Sequence, residues 1–466
     1  MRREAGSGKG EAGSLRTDAA VTVVGGGLAG SEAAWQLASR GFEVRLHEMR
    51  PVVTTPAHKT DRLAELVCSN TFKSTELTNA HGLLKAEMRL LGSIILEAAD
   101  SARVAAGSAL AVDRDVFSAA VTERIASEPR IEIVRDEAVD IAAPCVIATG
   151  PLTSDRLAES IKAKLGTGAL AFYDAIAPIV ARESIDDSIV FRASRYGKET
   201  MEGADDGGAY LNCPMSRDQY DAFLDALLTA DQYHGHEFDE VPYFEGCMPV
   251  EVMAKRGRDT LRFGPLKPVG LRDPRTGRDA HAVVQLRQED RAGRMWNLVG
   301  FQTRLRIPEQ QRVLRMIPGL EQAEFLRYGS IHRNSYLNSP GALSTHLSAR
   351  DEPMILFAGQ ITGVEGYTES SATGLLAGIN LGRLLSGDEP VVPPPTTMLG
   401  ALYRYMREAD PKHFQPMNAN FGLLDELPQQ IRDKKRKREM FAERALRDMQ
   451  GWIEANGIGV TAVVRA

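Results

Sequence analysis

Between Val21 and Glu48 the chain reads VTVVGGGLAGSEAAWQLASRGFEVRLHE, and no other stretch restricts the fold as much. A short apolar run (Val21, Val23, Val24) enters Gly25, Gly27 and Gly30 in G-x-G-x-x-G spacing. Ala33, Ala34, Leu37 and Ala38 then recur at helical intervals, and Phe42, Val44 and Leu46 alternate up to Glu48. The pattern predicts strand, helix and strand. In such a unit the first glycine makes the tight turn, the second lets a pyrophosphate approach the backbone, and the third lets the helix pack close on the strand. The helix N-terminus then offers free N–H groups to the phosphates. The turn formed by Gly25, Gly26, Gly27, Leu28, Ala29 and Gly30 is therefore the candidate nucleotide cradle.

Glu48 stands 18 residues beyond Gly30, at the end of the second strand, where a carboxylate can accept hydrogen bonds from ribose hydroxyls. An acid there disfavours a 2′-phosphate, so the expected tight nucleotide is FAD or NAD. Glycine-rich turns also serve structure alone, but here strand, helix, second strand and terminal acid agree.

The 466 residues suffice for about two or three domains. With 43% hydrophobic and 25% charged residues and a formal charge of -6, the composition is that of an ordinary soluble globular protein. Mild acidity excludes global attraction to nucleic acid, so any RNA site must be a local basic patch. The four cysteines (Cys68, Cys145, Cys213, Cys247) form no C-x-x-C and no cluster with histidine, a reduced, cytoplasmic pattern without a metal. Residues 1–20 lack an apolar core and read as a disordered extension, not a signal peptide. The GSGK at 6–9 has the wrong spacing for a phosphate loop, and no apolar run is long enough for a membrane span.

Further along, Leu63, Leu66 and Val67 predict a short helical face over 61–67. Residues 80–100 predict one longer amphipathic helix, 112–126 another, and IEIVRDEAVDI alternating strands. PCVIATG is a buried strand ending at Gly150, where the chain is expected to leave the nucleotide domain. From about 165 to 330 the alternating runs AVVQLR and MWNLVGF and the Pro-Gly punctuation predict an inserted α+β domain. MILFAGQ followed by SSATGLLAGINLGRLL repeats the strand-glycine-helix logic. The expected fold is thus α/β: a Rossmann-like FAD-binding domain of the two-dinucleotide flavoprotein type, split into 21–164 and 331–466 around an insertion at 165–330. Pro390 to Pro395 is a stiff linker before C-terminal helices. The run at 432–438 reads as a solvated helix face or as an RNA-binding patch.

Several longer signatures go beyond pattern. They are TPAHKTDRLAELVCSNTFKS (55–74), FRASRYGKET (191–200), YLNCPM (210–215), YFEGCMPVEVMAKRGRDTLRFGPLKPVGL (243–271), HRNSYLNSP (332–340), GQITGVEGYTESSATGLLAGINLGR and FQPMNANFGLL (414–424). In this order, from about Val21 to about Trp452, they resemble the folate- and FAD-dependent tRNA (uracil-5-)-methyltransferase family, abbreviated TrmFO. The glucose-inhibited division protein A relatives share the nucleotide fingerprint but lack EGCMP in this context. The resemblance implies that the one-carbon group of 5,10-methylenetetrahydrofolate passes through reduced FAD to C5 of the T-loop uridine of tRNA, with NADPH or NADH as reductant. The same chemistry on a large-subunit ribosomal RNA uridine, or a flavin oxidoreductase acting on a small molecule, are the alternatives. No protein partner is expected.

C5 of uracil is a poor nucleophile until a thiolate adds to C6. On residues alone Cys247, in Glu245-Gly246-Cys247-Met248-Pro249, is either an exposed turn nucleophile or a small buried hydrophobe; the resemblance implies the nucleophile. It also implies that Cys68 is a second functional thiol near the flavin. Cys145 and Cys213 read as structural. Gly359, Gly363, Gly366 and Glu369 in the glycine-rich turn, with Gly150, are the candidates for the flavin ring and ribityl chain; a tight turn with close helix packing is the alternative reading of the same glycines. His332 and His58 are the candidates for stacking on the folate pterin. Lys255, Arg256 and Arg258, with Arg432, Lys434, Lys435, Arg436, Lys437 and Arg438, are the candidate RNA cations.

Overall fold

The computed structural model describes residues 20–55, 57–166, 170–198, 208–233 and 248–459. Its first sheet is fully parallel, in the order Ile355–Phe357, Cys145–Ile147, Val21–Val24, Val44–His47, Ile131–Val134. The short strands carry Val, Ile and Leu because helices cover both faces of such a sheet. Leu28–Ala38 is buried almost throughout, and Tyr367–Leu385 crosses it so closely that a Cβ on Gly374 would stand 2.1 Å from the Ala29 carbonyl oxygen. Small residues at this crossing bring both helix N-termini to the same end of the sheet. The carboxyl ends of the strands open there too, which is where parallel sheets bind ligands.

A second, antiparallel sheet runs in the order Phe191–Arg192, Tyr210–Met215, Ala282–Gln288, Met295–Leu298, Ile179–Ala181, Phe325–Arg327. The helix Arg217–Thr229, held by a Ser216–Gln219 capping box, packs Tyr220, Phe223, Leu224 and Leu227 into the core under this sheet. The paired strands Leu170–Ile176 and Ser330–Tyr336 carry the chain into this region and back. No helix among the described residues is long and apolar enough to cross a membrane.

Four local expectations need correction. Residues 61–67 form turns, not a helix: Leu63 N–H donates to Thr122 Oγ1 and Ala64 N–H to the Gly26 carbonyl, so distant partners take the bonds a helix would use. The single helix over 80–100 is two, Ala80–Leu90 and Ile94–Ser101. Gly92 adopts a left-handed φ of 73° and Ser93 caps the second helix by accepting from Leu96 N–H. In IEIVRDEAVDI only Ile131–Val134 is strand. Asp113 accepts from Asp115 and Val116 N–H and starts the next helix at Arg114, two residues later than its apolar pattern begins.

Candidate active-site cleft

Below the glycine turn lies a cleft of about 1010 Å³, lined by Gly25 to Ala29, His47 to Arg50, His58, Glu65, Ala148 to Ser154, Gly359, Gln360 and Tyr367. The turn is built around backbone contact. A Cβ on Gly25, whose φ is 104°, would lie 2.6 Å from the Ala148 oxygen, and one on Gly30 would lie 1.8 Å from the Gly25 oxygen. A Cβ on Gly27 would meet no atom within 4 Å, so that position faces open cleft. Gly27 is the N-cap of Leu28–Ala38, and no side chain among the described residues caps this helix. Its first N–H groups and the positive end of its dipole therefore face the cleft, the arrangement that holds a phosphate.

Glu48 closes the far side. Its Oε2 accepts from Gly26 N–H at 3.0 Å, and its Oε1 from Arg50 N–H and Nε at 3.0 and 2.8 Å. Arg50, itself buried, continues to Glu65 Oε2 at 3.0 Å and the Thr60 carbonyl at 3.1 Å. Burial alone would raise the Glu48 carboxyl, but the bonds and charge of Arg50 hold it below its ordinary value, so it is ionised at neutral pH. Cutting Arg50 back to alanine leaves Glu48 a buried, unpaired charge. We expect a loss of about 3 kcal/mol of stability, read as a lower urea midpoint with unchanged m-value.

Tyr367 also lines a second cleft of about 1190 Å³ together with Cys68, Ser69, Thr71, Lys73, Arg287, Asn297, Gln302, Asn334 and Gly366. Its Oη accepts from the N–H groups of Cys68 and Ser69 at 2.9 and 3.1 Å. The first residue of the Tyr367–Leu385 helix thus clamps the cysteine loop at the junction of the two clefts. From the other side Arg114 donates to the Leu66 and Cys68 carbonyls (2.9 and 3.2 Å) and pairs with Glu289 at 2.8 Å, while Arg327 donates to the Val67 carbonyl at 2.9 Å. Cys68, half-buried, is held by its backbone and turned to the cleft. Cys145 and Cys213 are buried in strands, and burial raises the Cys145 thiol to about 12 and Cys213 likewise upward.

Gly150 and Gly359 line the first cleft, Gly366 the second. Gly363 and Glu369 line neither. Gly363, with φ 86°, sits against the Phe414 ring, where a Cβ would lie 2.5 Å from its Cζ. Glu369 bonds His81 Nδ1 (3.0 Å) and accepts from Ala419 N–H (2.9 Å). Burial opposes its charge, yet the His81 hydrogen bond and the nearby Lys73 charge bring its carboxyl down to about 2. Gly363 and Glu369 both stand directly behind the lining residues, Glu369 against Gly366, where a Cβ would lie 2.3 Å from its Oε2. His58 stands at the Glu48 end of the first cleft, bonded to Thr55 Oγ1 at 2.6 Å, and burial lowers it to about 4, so it is neutral there. His332 lies in the Ser330–Tyr336 strand opposite Asp174, two residues before the cleft residue Asn334; its side chain, like Cys247, falls outside the described residues.

Among the RNA candidates, Arg258 is tied to Asp221 and Asp225 at 3.0 and 2.8 Å, and Arg436 to Glu439 and Glu443 at 3.2 and 3.1 Å. Lys437 lies 5.5 Å over the Phe441 ring. Lys255, Arg256, Arg432, Lys434, Lys435 and Arg438 are exposed, the 434–438 group in the first turns of the Lys434–Ala455 helix. Cations there oppose the helix dipole, so their clustering is an electrostatic feature with a stability cost. Arg50, Arg114, Lys73 and Tyr367 were not foreseen. Arg50 stands two residues after the ribose-directed acid, Lys73 within the 55–74 signature and Tyr367 within GQITGVEGYTESSATGLLAGINLGR, but none of these patterns singles the residue out.

The family model described as "Glucose inhibited division protein A" matches residues 20–389. The "Methylenetetrahydrofolate--tRNA-(uracil-5-)-methyltransferase TrmFO" of Geobacter sulfurreducens is 57% identical over 436 residues, covering 93% of this chain and 99% of that protein. The protein of the same name from Anoxybacillus flavithermus is 54% identical over 435 residues, with the same coverage of each. Two crystal forms of Aquifex aeolicus GidA superpose with TM-scores of 0.65 and 0.66 over 93% of this chain and 73% and 75% of theirs, at 15% and 16% identity, which establishes the shared fold. With a relative 57% identical across nearly its whole length, the chain belongs to the TrmFO family.

Proposed function

We propose that this chain methylates C5 of the T-loop uridine of tRNA in the cytoplasm. The carbon donor is 5,10-methylenetetrahydrofolate, the resident cofactor FAD, and the reductant NADPH or NADH. The observation that carries the reading is full-length identity of 57% to a relative bearing that activity in its name. The first cleft supports FAD through residues that fit it: an uncapped helix N-terminus for the pyrophosphate, open space at Gly27 and an ionised Glu48 for a ribose. When bound, the flavin supplies a relay for the one-carbon unit and the hydride that completes the methyl group.

The chain supplies the rest. Tyr367 and Arg114 fix the loop that carries Cys68 at the mouth of the second cleft, and Cys247 adds to C6 of the uracil. Residues 165–330 form the inserted domain that walls this cleft. Lys255, Arg432, Lys434, Lys435 and Arg438 take RNA phosphates, and Arg256 stands among them; Arg258 and Arg436 are engaged by acids. Transfer of labelled methylene to a tRNA transcript by reduced, flavin-loaded protein tests the reading. We expect wild type to label C5 and Cys247→Ala to label nothing. No transfer to tRNA by wild type overturns the reading, and transfer to a ribosomal RNA fragment instead would redirect it.

A further inference from the structure

We propose that Lys73 is a catalytic residue of the RNA half of the reaction, its ammonium receiving the negative charge that builds on O4 of the target uracil. This rests on the reading above. Lys73 sits in the strand Thr71–Ser74, whose register against Ala109–Val112 slips between Thr71 and Ser74. Its φ is 62°, a left-handed conformation that is unfavourable for any residue with a Cβ. Bulges and strained backbone of this kind gather at sites where a side chain must be aimed off the regular alternation.

Lys73 lines the second cleft beside Thr71, Cys68 and Tyr367. Its own N–H donates to Thr71 Oγ1 at 3.0 Å, and no hydrogen bond or close ion pair to its ammonium is found among the described residues. The other cation of this cleft, Arg287, is engaged: its Nε donates to Asn70 Oδ1 at 2.8 Å and it faces Glu289 at 4.0 Å. The wall behind Lys73 is made to hold it. The wholly buried Lys85 donates to the carbonyl of Phe72, one residue before Lys73, at 2.7 Å. Glu369, buried and ionised, places a fixed negative charge near enough for Lys73 to lower its carboxyl.

The chemistry asks for such a group. As a thiolate sulfur bonds to C6, the C5=C6 π pair moves through C4 onto O4, and a positioned cationic N–H stabilises and can share its proton with that oxygen. The pair then returns through C5 to bond the one-carbon unit, whose bonding pair to its carrier nitrogen goes to that nitrogen; loss of the C5 proton to a base puts a second pair on O4, and its return re-forms C5=C6, breaks the C6–S bond and leaves the proton on Lys73. No redox equivalent enters these steps.

Lys73→Gly separates function from folding, because glycine adopts φ 62° without strain. We expect a melting temperature equal to or above wild type, with full flavin content and unchanged flavin reduction by nicotinamide. Covalent capture of a 5-fluorouridine tRNA fragment and single-turnover methylation should fall about 10²- to 10³-fold, the loss that follows removal of one oxyanion donor. A Lys73→Gly protein as fast as wild type overturns the assignment. A variant that loses flavin or melts early marks a structural role and overturns it as well. A raised KM for tRNA with unchanged turnover would make Lys73 a phosphate anchor instead. A wild type that captures and methylates no tRNA sinks the underlying reading, and this inference with it.

Discussion

Gly30→Ala is expected to cost the protein its flavin and much of its stability, whereas Gly27→Ala should cost the flavin alone. The two glycines lie three residues apart in one turn, and the difference is what their missing Cβ atoms would meet. At Gly30 the methyl would stand 1.8 Å from the Gly25 carbonyl oxygen and 3.0 Å from its carbonyl carbon. Backbone cannot swing aside as a side chain can, so the Leu28–Ala38 helix must lift off the turn. That helix is also locked from outside by Gly374 and Gly378, whose Cβ positions lie 2.1 and 2.6 Å from the Ala29 and Ala33 carbonyl oxygens. Overpacking between two such constraints costs about 3 kcal/mol or more. At Gly27 nothing lies within 4 Å, so the methyl projects into the space the pyrophosphate would occupy. Flavin absorbance after gel filtration and the urea midpoint of flavin-free protein distinguish the cases. Gly30→Ala should fail both, and Gly27→Ala should keep its midpoint while its flavin affinity falls at least about tenfold, the equivalent of about 1.4 kcal/mol. Equal midpoints for the two variants would contradict the account.

The turn could be read from sequence because its chemistry is local: three glycines, a helix start and an acid are each specified within 28 residues. The cysteine loop could not. Leu63, Leu66 and Val67 have helical spacing, but Thr122, Arg114 and Arg327 reach their backbone from elsewhere, and no local pattern announces a bond from residue 327 to residue 67. Tyr367 clamps a loop 299 residues away in sequence from Cys68. The direction of Glu369 was hidden for a related reason: it stands two residues after the cleft residue Tyr367, a rotation of about 200° along the helix, and its carboxylate meets His81 from across the fold. Lys73 falls in the 55–74 signature, but nothing there marks its conformation, because a left-handed backbone at a residue other than glycine is imposed by the fold around it. The split at Gly92 and Ser93 was hidden by apolar residues that keep their period across it.

Glu32 sets the second large effect, on the pH dependence of stability. It lies inside the Leu28–Ala38 helix, fully buried against the start of Ile94–Ser101. Ser93 Oγ and Ile95 N–H donate to its Oε1, and its Oε2 has no partner among the described residues. Burial outweighs those bonds and raises the carboxyl from 4.5 to about 8. The folded protein therefore keeps the Glu32 proton over a range in which the unfolded chain has released it. This contribution is fully present below pH 4.5 and is lost as pH rises to 8; at about 1.4 kcal/mol per pH unit the loss is on the order of 5 kcal/mol. Glu32→Gln keeps an oxygen for Ser93 and Ile95 and removes the titration. The variant should match wild type near pH 4.5 and exceed it by that order at pH 9, in urea midpoints taken across the range. Glu87, whose carboxylate accepts from Met398 and Leu399 N–H and is likewise raised to about 8, remains in both proteins. Some slope must therefore survive in Glu32→Gln. If the variant keeps the whole wild-type slope, Glu32 is already ionised in the folded state, and the charge must be held by the N–H groups at the start of the Ile94–Ser101 helix.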